Sequence, residues 1–218
     1  MKAVLFDCDG LMFDTEAEAQ KIWKRMAEEK GIDLPEDFRY HITGTGKRDY
    51  VWIDSIKGLR EALPEISGKR FDLDYWRSFE PDSLNKKGLK ELFAWLRDNG
   101  YKTAVCSSSR SEYVKALIST VSGGLPVEVI VGGDHVTRSK PDPQIFLLGA
   151  KTLGVEPEEC LVLEDSKFGI MAAAAAHMRS VFIEDTIEPD AQMEALIDMR
   201  ADDLSRVIGI LKEMEAAQ

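Results

Sequence analysis

Ala3-Val-Leu-Phe-Asp7-Cys-Asp9-Gly10 decides the reading of this chain, because it places two carboxylates two residues apart where an apolar run gives way to glycine. Ala3 to Phe6 has the composition of a buried strand, and Gly10 permits the sharp turn that ends it. Asp7 and Asp9 then stand at the carboxyl end of a first strand, the edge at which open α/β sheets bind their ligands. Like charges this close repel, so the pair costs stability unless a cation or a shared proton relieves it. Taken alone, an Asp-x-Asp-Gly sequence also serves as a turn cap.

Outward from that stretch, apolar runs and amphipathic stretches alternate from Leu89 onward. Leu89, Leu92, Phe93 and Leu96 recur at helical spacing, Asn99-Gly100 stops that helix, and Thr103 to Cys106 reads as a strand. Val127 to Val131, Cys160 to Leu163 and Ser180 to Ile183 are further strands. Helices are expected over Ser111 to Val121, Pro143 to Leu153, Gly169 to His177 and Leu204 to Met214. This alternation implies a parallel sheet covered on both faces. The segment 15–82 breaks the rhythm. Its stripes are helical: Ile22, Trp23, Met26 and Ala27; then Tyr50, Ile53, Ile56 and Leu59, ended by Pro64; then Tyr75, Trp76 and Phe79. The expected fold class is α/β, a Rossmann-like doubly wound parallel sheet formed by 1–14 and 83–218, with a small helical cap, 15–82, inserted after the first strand.

Bulk properties narrow the function. The 218 residues are 44% hydrophobic and 31% charged, an ordinary globular balance. A net charge of −11, from 28 basic and 39 acidic side chains, opposes attraction to nucleic acid or anionic membrane. No apolar run reaches the roughly 20 residues of a membrane span, and the first strand begins at once, so a cytoplasmic location is expected; a monomer is the default expectation, on which the sequence carries no signal. Cys8, Cys106 and Cys160 lie in or beside strand-like runs and read as buried free thiols. Cys8 faces away from its two aspartate neighbours if the strand persists. His41, His135 and His177 share no metal-ligand spacing.

Asp7 and Asp9, with Asp14-Thr15, Ser107, Lys140-Pro141-Asp142-Pro143 and Glu164-Asp165-Ser166, resemble the haloacid dehalogenase superfamily of phosphohydrolases, in its β-phosphoglucomutase-like branch. The resemblance covers nearly the whole chain in order. It implies that Asp7 is a nucleophile forming an aspartyl-phosphate, and that Asp9 protonates the leaving alcohol and then activates water. It implies Mg²⁺ held by Asp7, by the Asp9 backbone carbonyl and by Asp165, with Glu164 a direct or water-mediated second acid. Ser107 and Ser108 would bind phosphate oxygens as the chain enters a helix. Lys140 would add a fixed positive charge paired with Asp7 and the phosphate, on a backbone restrained by Pro-Asp-Pro. In the glycine-containing stretch Gly44 to Asp49, Lys47 fits the basic residue that contacts the far end of the substrate.

Three departures are visible. Ala19 stands where β-phosphoglucomutases carry a cap-hinge histidine, and Lys47 replaces an arginine whose bidentate grip it cannot reproduce. His177 stands where a glycine is usual after the alanine-rich helix. Asp9 argues against a haloalkanoate dehalogenase. The expected function is therefore a Mg²⁺-dependent phosphatase of a small phosphorylated metabolite, with a hexose-phosphate mutase as the alternative and a non-catalytic phosphometabolite sensor as a third reading.

Overall fold

The computed structural model describes residues 1–38, 41, 50–185 and 188–216. Six strands form one parallel sheet in the order β3-β2-β1-β4-β5-β6: β1 Ala3–Phe6, β2 Lys102–Cys106, β3 Val129–Val131, β4 Cys160–Glu164, β5 Arg179–Ile183 and β6 Met199–Ala201. This is the doubly wound order 3-2-1-4-5-6, whose direction of growth reverses beside β1. Both faces of the sheet are covered, which is why β1, and β4 as far as Leu163, are apolar rather than alternating. Val4 and Phe6 point into one apolar cluster with α5 (Leu89–Asp98), where Phe6 stacks on Phe93 with centroids 4.6 Å apart. Ala3 and Leu5 point into the other, with α7 (Gln144–Leu153) and α8 (Lys167–Ala175). Cys8 lies in the cluster of Val4 and Phe6, and all three cysteines are free and buried.

Between β1 and β2 the described chain is helical: α1 Thr15–Glu29, α2 Tyr50–Ser55, α3 Leu59–Arg70 and α4 Leu73–Arg77. The stripe Ile22, Trp23, Met26 and Ala27 is buried, as its spacing requires. The second stripe is cut in two. Gly58 adopts φ +82°, so α2 ends before it and α3 starts after it, with Pro64 inside α3 rather than at its end. Pro64 forfeits one backbone hydrogen bond, which burial of its neighbours Leu63 and Ile66 offsets.

The two connections of this helical insert run side by side. Asp14 N donates to Leu84 O (2.8 Å) and Lys86 N to Met12 O (2.9 Å). Lys86 Nζ pairs with Asp185 at 2.5 Å and with Asp14 at 3.5 Å, and Gly88 packs so closely on Ser205 that a Cβ would lie 2.2 Å from its nitrogen. Beside it, Asp203 accepts from Ser205 N (2.9 Å) and from Lys87 Nζ (2.7 Å). The Lys87 hydrogen bond, then those of Ser205, hold this carboxyl down at about 2. Its stabilisation is therefore present above the unfolded value near 3.8 and is lost as pH falls towards 2. In urea titrations Asp203→Asn should lower the unfolding midpoint by a constant amount above pH 5, and the deficit should vanish towards pH 2; a deficit independent of pH would contradict this.

Elsewhere the elements depart from the sequence reading in instructive ways. α6 covers only Ser111–Ala116, and the chain continues as a wide π turn over Leu117–Val121, where the Ser119 and Thr120 hydroxyls donate back to Ala116 O. α8 begins two residues earlier than expected because Ser166 caps it, accepting from Gly169 N at 3.0 Å. The third strand is shorter, and β6 was not anticipated: Met199-Arg-Ala201 is too brief and too exposed to give an apolar signal. The last helix is a 3₁₀ turn, Leu204–Arg206, followed by α10 Val207–Ala216, while α9 is the single turn Ala191–Glu194. His177 adopts φ +57° at an exposed position, which explains why glycine suits it. His177→Gly should raise stability by about 0.5–1 kcal/mol, read as a higher melting temperature; a lower one would show that the imidazole makes a compensating contact.

Candidate active site

The carboxyl ends of β1, β2 and β4 converge on one acidic centre. Asp7 directly follows β1, is anchored by its N–H to Leu163 O (3.0 Å), and is almost buried. Lys140, on the loop before α7 and joined to Pro141 by a cis peptide, donates from Nζ to Asp7 Oδ1 and to Glu164 Oε1, each at 2.5 Å. Only 5% of that lysine side chain is exposed, so the usual solvated fate of a surface lysine does not apply here. Its ammonium also sits 4.8 Å from the Phe146 ring centroid.

Glu164 is wholly buried, and both its oxygens are engaged. Oε1 takes Lys140; Oε2 accepts from Asp165 N (3.0 Å), Ser166 N (2.9 Å) and Ser166 Oγ (2.9 Å). A Cβ on Gly169 would fall 1.7 Å from Oε1, so only glycine lets α8 approach this carboxylate. Asp165 turns towards β1 instead: its Oδ2 would lie 2.2 Å from a Cβ on Gly10, whose φ of +82° also demands glycine. The Asp185 carboxylate lies on the same side, Oδ2 being 3.3 Å from that Cβ position.

Asp9 is held by hydroxyls. Oδ1 accepts from Thr15 Oγ1 (2.9 Å) and Tyr113 Oη (3.1 Å), and Oδ2 from Ser109 Oγ (2.7 Å) and Ser107 Oγ (3.4 Å). Ser107 is buried after β2 and its Oγ also accepts from Ser109 N (3.0 Å). Ser108 is exposed, and it is Ser109 that reaches Asp9. Lys47 lies outside the described residues. From the insert, Arg70 Nη2 donates to Glu16 Oε1 at 2.6 Å, both side chains being mostly buried, and this guanidinium is within electrostatic reach of Asp9.

The centre is acid-rich: Asp7 and Glu164 share the Lys140 ammonium, and Asp165 lies beside them. Burial first, then repulsion from Glu164, raises the Asp7 carboxyl against the pull of Lys140. Burial, followed by Glu164, Asp7 and Asp185, raises Asp165 well above the carboxylate range. Burial opposes the charge on Lys140, but Asp7 and Glu164 outweigh it and keep the ammonium protonated. A divalent cation would reverse the cost of ionising Asp7 and Asp165. Among the described residues no three His, Cys, Asp or Glu side chains form a ready-made ligand cluster. The donor chemistry nevertheless fits Mg²⁺, which binds through one or two carboxylates and keeps water and substrate oxygens for the rest.

Sequence reasoning missed Ser109, Tyr113, Arg70 and Asp185. Asp185 carries the signal used for Asp7 and Asp165, an acid just past an apolar strand, and was legible on those grounds. Tyr113 and Arg70 carry no local signal.

A doubly wound parallel sheet thus gathers acids, serine hydroxyls and the buried Lys140 at its carboxyl edge, where sheets of this class bind their ligands. The chain belongs to the haloacid dehalogenase-like hydrolase family, whose profile matches residues 1–177. It is 32% identical over 181 residues to fructose-1-phosphate phosphatase YqaB of Escherichia coli, covering 82% of this chain and 94% of that protein. It is 30% identical over 189 residues to β-phosphoglucomutase of Bacillus subtilis, covering 83% and 82%. The structure of CbbY from Rhodobacter sphaeroides in complex with phosphate superposes with a TM-score of 0.75 at 25% identity, over 95% of this chain and 96% of that one. Against one longer relative the chain spans 20% of the length. No helix among the described residues is long and apolar enough to cross a membrane.

Proposed function

We propose that this protein is a Mg²⁺-dependent phosphatase that hydrolyses a small phosphomonoester, a sugar phosphate or related metabolite, through an aspartyl-phosphate on Asp7. The observation that carries the reading is the Asp7 carboxylate held by Lys140 at 2.5 Å, two residues before an Asp9 fixed by four hydroxyls. In the first step an Asp7 oxygen bonds to phosphorus while the ester P–O bond breaks, and the departing alkoxide takes a proton from Asp9. In the second, a water oxygen bonds to phosphorus, its proton returns to Asp9, and the Asp7–phosphorus bond breaks to free orthophosphate. Ser107 and Lys140 bind phosphoryl oxygens, with Ser108 beside them, and Lys140 also keeps Asp7 oriented. Mg²⁺, held by Asp7, the Asp9 carbonyl and Asp165, would neutralise charge on the phosphoryl group. With both oxygens already engaged, Glu164 fits the water-mediated role better than the direct one. The helical insert 15–82 serves as a cap over this edge, and Lys47 contacts the non-reacting end of the substrate.

A hexose-phosphate mutase is the second reading, favoured by the β-phosphoglucomutase relative and opposed by Ala19, a buried methyl where that reaction's hinge histidine would stand. A panel of hexose and pentose phosphates and nucleotides, assayed for orthophosphate and for isomeric products with Mg²⁺ or with EDTA, tests the proposal. Phosphate release that EDTA stops is the expected result; interconversion of glucose phosphates without net release would overturn it in favour of the mutase.

A further inference from the structure

Tyr113 joins the site to the helical insert. It lies on α6, is 2% exposed, and its hydroxyl donates to Asp9 Oδ1 at 3.1 Å. Its ring is gripped edge-on by two aromatic rings of the insert, Phe71 at 5.6 Å and Trp76 at 5.7 Å between centroids, each at 79°. Trp76 is fully buried and fixed by its indole N–H donating to Arg70 O at 2.6 Å, so this grip is rigid on the insert side. Of the other three hydroxyls on Asp9, that of Thr15 comes from the first residue of α1, where the insert begins, and those of Ser107 and Ser109 from the loop after β2. Tyr113 alone among the four places a large aromatic ring between Asp9 and the insert, and a ring with two torsions cannot shift its hydroxyl without moving against Phe71 and Trp76.

We propose that Tyr113 is a positioning residue for Asp9: its hydroxyl fixes the carboxylate for proton transfer, and its ring makes that position depend on Phe71 and Trp76 being docked. Proton delivery is thereby tied to the insert being seated. The proposal rests on the reading of Asp9 as the acid that protonates the leaving alcohol.

The test compares two leaving groups. A hexose phosphate expels an alkoxide that needs a proton, whereas p-nitrophenyl phosphate expels a stable phenolate that does not, and kcat/KM reports the steps up to the phospho-enzyme in both cases. Tyr113→Phe keeps the ring and removes only the hydroxyl. It should lower kcat/KM for the hexose phosphate by about 10- to 100-fold, part of the 10²–10⁴-fold that a positioned acid supplies, and change p-nitrophenyl phosphate less than about threefold. Phe71→Ala, at a half-exposed position, should give a smaller loss of the same selectivity, and none further when added to Tyr113→Phe. Equal losses on both substrates, or no loss on either, would overturn the proposal. Asp9→Asn separates the two levels: if it discriminates between the leaving groups and Tyr113→Phe does not, the positioning role alone fails. If Asp9→Asn lowers both equally, the acid assignment fails and the role of Tyr113 falls with it.

Discussion

Asp7→Asn should abolish phosphate release, by at least about 1,000-fold, while leaving a folded protein. The amide keeps the volume and shape of the carboxylate but offers no anionic oxygen to phosphorus. Lys140 retains Glu164 as a partner at 2.5 Å, so no isolated buried charge is created. The thermal consequence has a definite sign. Because burial raises the Asp7 carboxyl above its unfolded value, its ionisation in the metal-free protein costs stability, and that cost grows as pH rises from the unfolded value through the folded one. Asparagine removes it, so the metal-free variant should melt no lower than the wild type at neutral pH. Phosphate assays and thermal melts on the same preparation check both halves. Turnover within tenfold of wild type would displace Asp7 from the chemistry; loss of turnover with a collapsed melting temperature would show only misfolding.

Lys140→Ala should damage stability and activity together. Its ammonium is the shared partner of two buried carboxylates, and its removal leaves Asp7 and Glu164 facing each other across a cavity. Removing one partner of a buried ion pair costs about 3–5 kcal/mol, far more than the pair itself contributes over a hydrophobic substitute. The activity loss should exceed about 100-fold, since a phosphoryl oxygen loses its fixed cation as Asp7 loses its orientation. Lys140→Arg is not expected to rescue either property, because a planar guanidinium does not fit a site built around one point charge. Urea titration and steady-state kinetics measure the two effects. A variant as stable as wild type would mean that water or a counter-ion compensates the carboxylates.

The parts of this architecture that were legible in the sequence are those with local causes. β1 and β4 lie in the sheet interior, so their apolar runs stand out, and each ends in acids that the strand direction delivers to one edge. Helix α1 was legible from its own periodicity, since its stripe Ile22, Trp23, Met26 and Ala27 is buried at the spacing that a helix demands. Pro64 misled because helix termination is a tendency: Gly58 at φ +82° ends the preceding turn, and packing of Leu63 and Ile66 carries α3 through the proline. β6 gave no signal because its stability comes from pairing with β5 rather than from its own composition. Within the site, Asp7, Asp9, Ser107, Lys140 and Glu164 were placed by motif, and the hydrogen bonds between them follow from that placement. Tyr113 and Arg70 could not be: the first is 104 residues from the Asp9 it touches and the second 54 residues from Glu16, distances at which only the tertiary fold makes neighbours.

Covalent capture tests the central claim most directly. The protein would be mixed with a radiolabelled phosphomonoester that it hydrolyses, quenched in acid within a turnover and digested, and the labelled peptide sequenced. Label on the peptide carrying Asp7, absent from Asp7→Asn, is the expected result. Robust turnover with no protein-bound label under any quench time, or label on a peptide that lacks Asp7, would contradict it.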